Sequence, residues 1–112
     1  MDIVFKTPTL QSECNESRKA KRRYGAEVAD RLRVRLDDLA AAANLESMRL
    51  VVAARCEELK ADRKGQLSVR LPGALRLVFE PAHDPIPLRV GGGLDWKAVT
   101  AVRILEIVNY HG

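Results

Sequence analysis

The chain predicts an α+β fold in which an N-terminal strand and a two-helix hairpin pack on a small, mostly antiparallel sheet. Two observations lead there. Apolar residues recur every three to four positions up to about Ala43 and every second position from Arg55 onward, the signatures of amphipathic helices and of half-buried strands. The length of 112 residues supports one modest core and not two, so residues 1–112 read as a single domain. With 46% hydrophobic and 30% charged residues, the composition is that of a folding chain and not of a disordered one.

Asp2 to Lys6 alternates, with Ile3 and Phe5 on one side, and predicts a short first strand. Thr7-Pro8 reads as an N-cap followed by proline at the first helical position, where its missing N–H costs nothing. One helix is expected from there to about Arg23, ended by Tyr24-Gly25. A second helix places Val28, Leu32, Leu36, Leu39 and Ala43 inward, with Arg31, Arg33, Arg35, Asp37 and Asp38 between them. The two helices form an antiparallel hairpin whose apolar stripes the sheet must cover.

A short strand is expected from Arg55 through Leu59, then a turn at the cationic run Asp62-Arg63-Lys64-Gly65. Gln66 to Leu71 alternates, with Leu67, Val69 and Leu71 on one face and Gln66, Ser68 and Arg70 on the other. Pro72-Gly73 turns the chain into Ala74 to Glu80, where Leu75, Leu77 and Phe79 oppose Arg76, Val78 and Glu80. The segment from Pro81 to about Thr100 is longer than most connections in a compact domain; it either moves or holds a short turn at Asp95-Trp96. Ala101 to Tyr110 is apolar on both faces apart from Arg103 and Glu106, the pattern of a central strand covered on both sides.

No apolar stretch approaches the roughly 20 residues that span a bilayer, and the N-terminus lacks the layout of a signal peptide. A cytoplasmic protein without membrane contact is expected. Cys14 and Cys56 are far apart and lack metal-ligand spacing, so they read as reduced thiols. His83-Asp84 lies between prolines without partners at ligand spacing, and Gly91-Gly92-Gly93 lacks the Lys-Ser or Lys-Thr of a phosphate-cradling loop. No metal or cofactor is expected. Trp96 is read as an anchor for its loop.

The net charge of +4 is modest, but Arg18, Lys19, Lys21, Arg22 and Arg23 form one basic cluster and the span from Arg55 to Arg76 forms another. Such clusters suit a polyanion, because every neutralised phosphate releases condensed counterions; a solvated helix face or an acidic protein partner uses the same charge. The remaining chemistry lies at the C-terminus. Metal-free RNA cleavage needs a base for the 2′-hydroxyl proton, cations for the crowded phosphorane and an acid for the leaving 5′-oxygen. His111 is a natural proton-transfer group, and Tyr110 can donate a proton or stack on a base. Strict alternation projects Asn109 and His111 together and Tyr110 away. Lys60, Arg63, Lys64, Arg70 and Arg76 are the candidate phosphate ligands, with Arg76 favoured for its planar, multi-donor guanidinium.

Three blocks, Leu59-Lys60-Ala61-Asp62-Arg63-Lys64-Gly65-Gln66, Leu75-Arg76-Leu77-Val78-Phe79 and Glu106-Ile107-Val108-Asn109-Tyr110-His111-Gly112, resemble in order and spacing the RelE-like toxin superfamily of bacterial type II toxin–antitoxin systems. The resemblance is in particular to its HigB-type toxins, also called plasmid maintenance system killer proteins. It implies a RelE-like fold and a metal-independent endoribonuclease that cuts mRNA on the translating ribosome. Further implied are a cognate HigA-like helix-turn-helix antitoxin that neutralises it and operator DNA reached through that antitoxin. In this reading His111 and Tyr110 handle protons, Arg76, Lys60 and Lys64 stabilise phosphate, and Arg63, Arg70 and the Arg18–Arg23 cluster hold RNA. The chain departs from the family pattern at four kinds of position. Asn109 stands where many members have aspartate, Glu57 where many have histidine, Ala61 where many have glycine, and Leu67 and Leu75 where aromatic residues are common. A ParE-like toxin that poisons gyrase without cutting nucleic acid, and a weakened toxin acting through antitoxin and operator binding, are the alternatives.

Overall fold

A computed structural model describes residues 1–109 of the chain. Strand β1 (Asp2–Phe5) leads into helix α1 (Pro8–Asn15), whose first turn is capped by the Thr7 hydroxyl accepting from the Leu10 N–H at 3.1 Å. The single helix expected to Arg23 is two. Glu16 is extended, at φ −104° and ψ 106°, and helix α2 (Ser17–Tyr24) starts anew. Asn15 and Ser17 flank the break, and both side-chain types compete with helical hydrogen bonding. Gly25, at φ +86°, turns the chain into helix α3 (Ala26–Ala41).

Helices α2 and α3 pack side by side as the expected hairpin. Its inward stripe is Ala29, Leu32, Leu36 and Leu39, with Val28 half-buried and Ala43 exposed beyond the helix end. Each fully buried leucine contributes about 1.5–3 kcal/mol relative to an exposed one. Arg35, expected among the outward residues, is buried instead at 5% exposure. Its Nε donates to the Arg70 carbonyl (2.8 Å), Nη2 to the Ala53 carbonyl (2.9 Å) and Nη1 to Asp38 (3.1 Å). One guanidinium thus ties α3 to the sheet and to the short 3-10 turns that precede it.

Those turns, Leu45–Leu50 and Val52–Ala54, lead up to the strand expected from Arg55 through Leu59, which is present but shorter. Strand β2 is only Glu57–Glu58; β3 is Leu67–Arg70, β4 Leu75–Pro81 and β5 Ala101–Asn109. The sheet order is β1-β5-β4-β3-β2, with β1 parallel to β5 and every other pair antiparallel. Leu67, Val69, Leu77, Phe79, Val102 and Ile104 face the helices and join Leu32, Leu36 and Leu39 in one apolar core.

The long connection to β5 is ordered by local contacts. Leu88 and Leu94 bridge, the His83 Nε2 accepts from the N–H groups of Thr100 (3.0 Å) and Ala101 (3.3 Å), and Trp96–Ala98 forms a 3-10 turn. Trp96 anchors the loop, as expected: its Nε1 donates to Glu58 (3.1 Å), and the Arg49 guanidinium lies 3.8 Å above its ring. Among the described residues no helix is long and apolar enough to cross a membrane.

Candidate functional site

The sheet has a second face that no helix covers, and the candidate residues divide between it and the helix hairpin. Cross-strand pairing fixes which side chains share that face. At its end, Arg70 on β3, Arg76 on β4 and Val108 on β5 stand in one row. The next row is Glu57, Ser68, Val78 and Glu106, and beyond it Glu80 pairs with Arg103 at 2.9 Å.

Strict alternation along β5 would not produce this arrangement. Ile104 faces the core opposite Phe79, yet Glu106, two residues on, faces away from it opposite Val78. Leu105 is an extra residue, a β-bulge that reverses the parity of everything after it. Ile107 consequently returns to the core side while Glu106 and Val108 join Arg76. The same parity puts Asn109 opposite Leu75, on the helix side and away from Arg76. The expectation that β5 is covered on both faces is corrected accordingly: only Val102 and Ile104 are fully buried in it. A signal for the bulge stood in the sequence, because Arg103 and Glu106 are three apart and an unbroken strand would have turned one of them into the core.

Arg70 and Arg76 are directly opposed like charges, an arrangement that destabilises an antiparallel pair. Arg76 is half-buried and donates from Nη1 to the neighbouring Leu75 carbonyl at 3.0 Å; Arg70 is exposed. Among the described residues neither has a carboxylate partner, so the pair is poised for an anion. The cationic loop lies across the same face. Arg63, in the 3-10 turn Ala61–Arg63, reaches Glu106 on β5 at 3.5 Å and donates to the Gln66 carbonyl oxygen of the side chain at 3.2 Å. Ser68 and Val78, which share the face of Arg70 and Arg76 as expected, are fully buried there. Lys60 and Lys64 flank the turn and are exposed. Ala61 has φ +55°, a left-handed backbone that glycine adopts without the Cβ penalty, which gives a physical reason for glycine at this position in the resembling family.

The basic helix stands apart from that face. Arg18, Lys21 and Arg22 lie at helical spacings of three and four on one exposed side of α2. Part of the cluster is engaged internally: Lys19 bonds Ser12 (2.6 Å) and Glu16 (3.3 Å), while Arg23 pairs with Glu13 (3.3 Å) and stacks on Tyr24. A hydrogen bond from Ser12, and then Lys19, hold the Glu16 carboxyl below its usual range. Strand β1 ends at Phe5, so β5 beyond Ile104 has an unpaired edge. Beside that edge runs a hollow of about 190 Å³ between Thr7, Glu13, Arg23 and Tyr24 on one side and Leu105 and Glu106 on the other. It links the basic helix to the sheet face. A larger hollow, about 610 Å³ around Trp96, is lined by Arg49, Arg89 and Lys97 but equally by Glu46, Glu58 and Asp95, and its charges balance.

Tyr110 and His111, the expected proton-transfer pair, lie outside the described residues. Cys14 and Cys56 are free thiols, pushed by burial up to about 11 and about 12. Among the described residues no group of three or more His, Cys, Asp or Glu is placed to hold a metal ion.

No family model matches the chain, and no curated protein matches it. Among solved structures it is similar to a YoeB/ParE toxin from Agrobacterium tumefaciens, at 11% identity and a TM-score of 0.54, covering 99% of this chain and 100% of that one. At that identity the likeness speaks to fold alone: the chain has an α+β, RelE-like fold, an N-terminal strand and helices packed on a mixed parallel and antiparallel sheet.

Proposed function

We propose that the protein is the toxin of a type II toxin–antitoxin system, a metal-independent, ribosome-dependent mRNA endonuclease of HigB type. The observation that carries this reading is the Arg70–Arg76 pair, two opposed arginines without carboxylate partners among the described residues, on the sheet face away from the helices. A scissile phosphate relieves their repulsion, and bidentate guanidinium contacts stabilise the charge that grows in the phosphorane. Lys60 and Lys64 supply further positive charge from the loop that crosses this face. Tyr110 and His111 follow Asn109 directly in sequence and take part in proton transfer, supplying the acid for the leaving 5′-oxygen. Arg18, Lys21 and Arg22 contact ribosomal RNA. The whole chain acts as one domain in the cytoplasm, neutralised by a HigA-like helix-turn-helix antitoxin that also brings it to operator DNA.

The test is primer extension on a defined mRNA with and without programmed ribosomes. Wild type should cut only with ribosomes. Arg76→Ala should lose roughly 10²–10³-fold in cleavage, the scale of removing one transition-state donor, with its circular dichroism unchanged; a folded Arg76→Ala protein that cuts at the wild-type rate removes the assignment. The name of the similar structure joins YoeB with ParE, which keeps one second reading in play: a gyrase poison that cuts no nucleic acid itself. Filamentation and DNA damage on expression, with mRNA intact, decide for that reading.

A further inference from the structure

The geometry points to Glu106 as the carboxylate that takes the proton from the attacking 2′-hydroxyl. This rests on the nuclease reading and adds to it a base that the family-like blocks did not single out. Three features converge. The bulge at Leu105 turns Glu106 out of the core and onto the face that carries Arg76, and bulges recur next to active sites because they re-aim a side chain in this way. Glu106 and Arg76 are diagonal neighbours on adjacent strands, since Arg76 pairs with Val108. That spacing, roughly 7–8 Å, accommodates a phosphate bound to the guanidinium with its 2′-oxygen beside the carboxylate, about 3 Å being the attack distance. Glu106 is 47% exposed at its side chain, and the ion pair to Arg63 uses one oxygen, Oε1, at 3.5 Å. Among the described residues Oε2 has no ion-pair partner and serves as acceptor. Glu57 belongs to the same row but stands on β2, two strands from Arg76 rather than one.

The step balances without a metal. The 2′-hydroxyl proton passes to the Glu106 carboxylate as the O2′–P bond forms. The P–O5′ bond then breaks, the leaving 5′-oxygen takes a proton from the acid of the site, and the products are a 2′,3′-cyclic phosphate and a 5′-hydroxyl.

The experiment compares wild type, Glu106→Gln and Glu106→Ala in single-turnover cleavage of a defined mRNA on programmed ribosomes, alongside ribosome affinity. Glu106→Gln should cut about 10²-fold or more slowly, the usual contribution of a general base, with affinity within twofold of wild type. Added formate should restore part of the rate to Glu106→Ala, because a small carboxylate can enter the space left by the side chain. A base-free role, in which Glu106 only positions the loop through Arg63, would make Arg63→Gln equally slow and leave Glu106→Ala insensitive to formate; that result overturns the proposal, as does a Glu106→Gln protein that cuts at the wild-type rate. If wild type itself cuts nothing, the nuclease reading fails and this inference with it, whereas cutting by wild type with no effect at Glu106 removes this inference alone.

Discussion

Two charged residues behave contrary to their place in the apolar pattern, for different physical reasons. Arg35 falls between the outward positions of α3, yet three acceptors converge on its guanidinium: the Arg70 and Ala53 carbonyls and the Asp38 carboxylate. A buried cation is tolerated where, as here, each guanidinium nitrogen has an acceptor. Periodicity alone had no access to this, because two of the three acceptors come from segments 18 and 35 residues away. Arg35→Ala should destabilise the protein by about 3 kcal/mol, the low end of breaking a buried ion pair, since Asp38 retains partial solvent contact at 24% side-chain exposure. Arg35→Lys should recover only part, because an ammonium cannot span the same fork. Urea unfolding reads both, and an Arg35→Ala midpoint equal to wild type would show the network to be energetically idle. Glu106 is the other case. The sequence shows it as one of two charges in β5, but its face follows from the bulge at Leu105, a parity change whose one trace in the sequence is the odd spacing of Arg103 and Glu106. Arg76 was legible by contrast because β4 is regular through it, with Leu75, Leu77 and Phe79 marking the opposite side.

At the scale of elements, the helices and the β3–β4 hairpin were legible because local rules govern them: the Thr7 cap, Pro8 at the first turn, Gly25 at a positive φ and the Pro72-Gly73 turn. The break at Glu16 is not legible, because no glycine, proline or strong apolar spacing marks it between Pro8 and Tyr24. That break has a consequence for α2. With only Ala20 buried, the helix is held by packing on α1 and α3 and presents Arg18, Lys21 and Arg22 outward. If these three cations meet ribosomal phosphates, reversing them to glutamate should weaken ribosome association. It should also flatten the dependence of log affinity on log salt by about two units, each phosphate contact contributing roughly 0.7–0.9. Ribosome co-sedimentation across a salt series measures both. An unchanged slope would return α2 to the role of a solvated helix face. The Arg76 site, on the other layer, should be untouched by the substitution, so cleavage at saturating ribosome concentration separates docking from chemistry.

For the whole molecule, the sequence conveyed the division into a helical half and a sheet half but not the strand order. Pairing β1 with β5 joins residues about 100 apart in parallel, and nothing local in Asp2–Phe5 names its partner. The core draws residues from along the chain, and the two thiols report on how it closes. Cys14 lies buried in the helical layer and Cys56 is packed against the sheet side of the core. Burial holds them protonated up to about 11 and about 12, against 9.0 for an ordinary thiol. Below pH 9 both thiols carry their protons whether the chain is folded or not, so they make no pH-dependent difference. Above it the unfolded chain releases protons that the folded chain keeps, the unfolded state is favoured, and stability falls until the folded thiols ionise in turn. At pH 10 the loss is on the order of 1 kcal/mol for each thiol. Tyrosines and lysines titrate over the same range, so the quantity to measure is the difference in unfolding free energy between wild type and the Cys14→Ala/Cys56→Ala variant at pH 8 and at pH 10. The wild-type advantage should shrink by about 1–3 kcal/mol. A difference that stays constant would mean that the thiols are as free to ionise in the native protein as in the unfolded one, and that neither half of the core is closed over its cysteine.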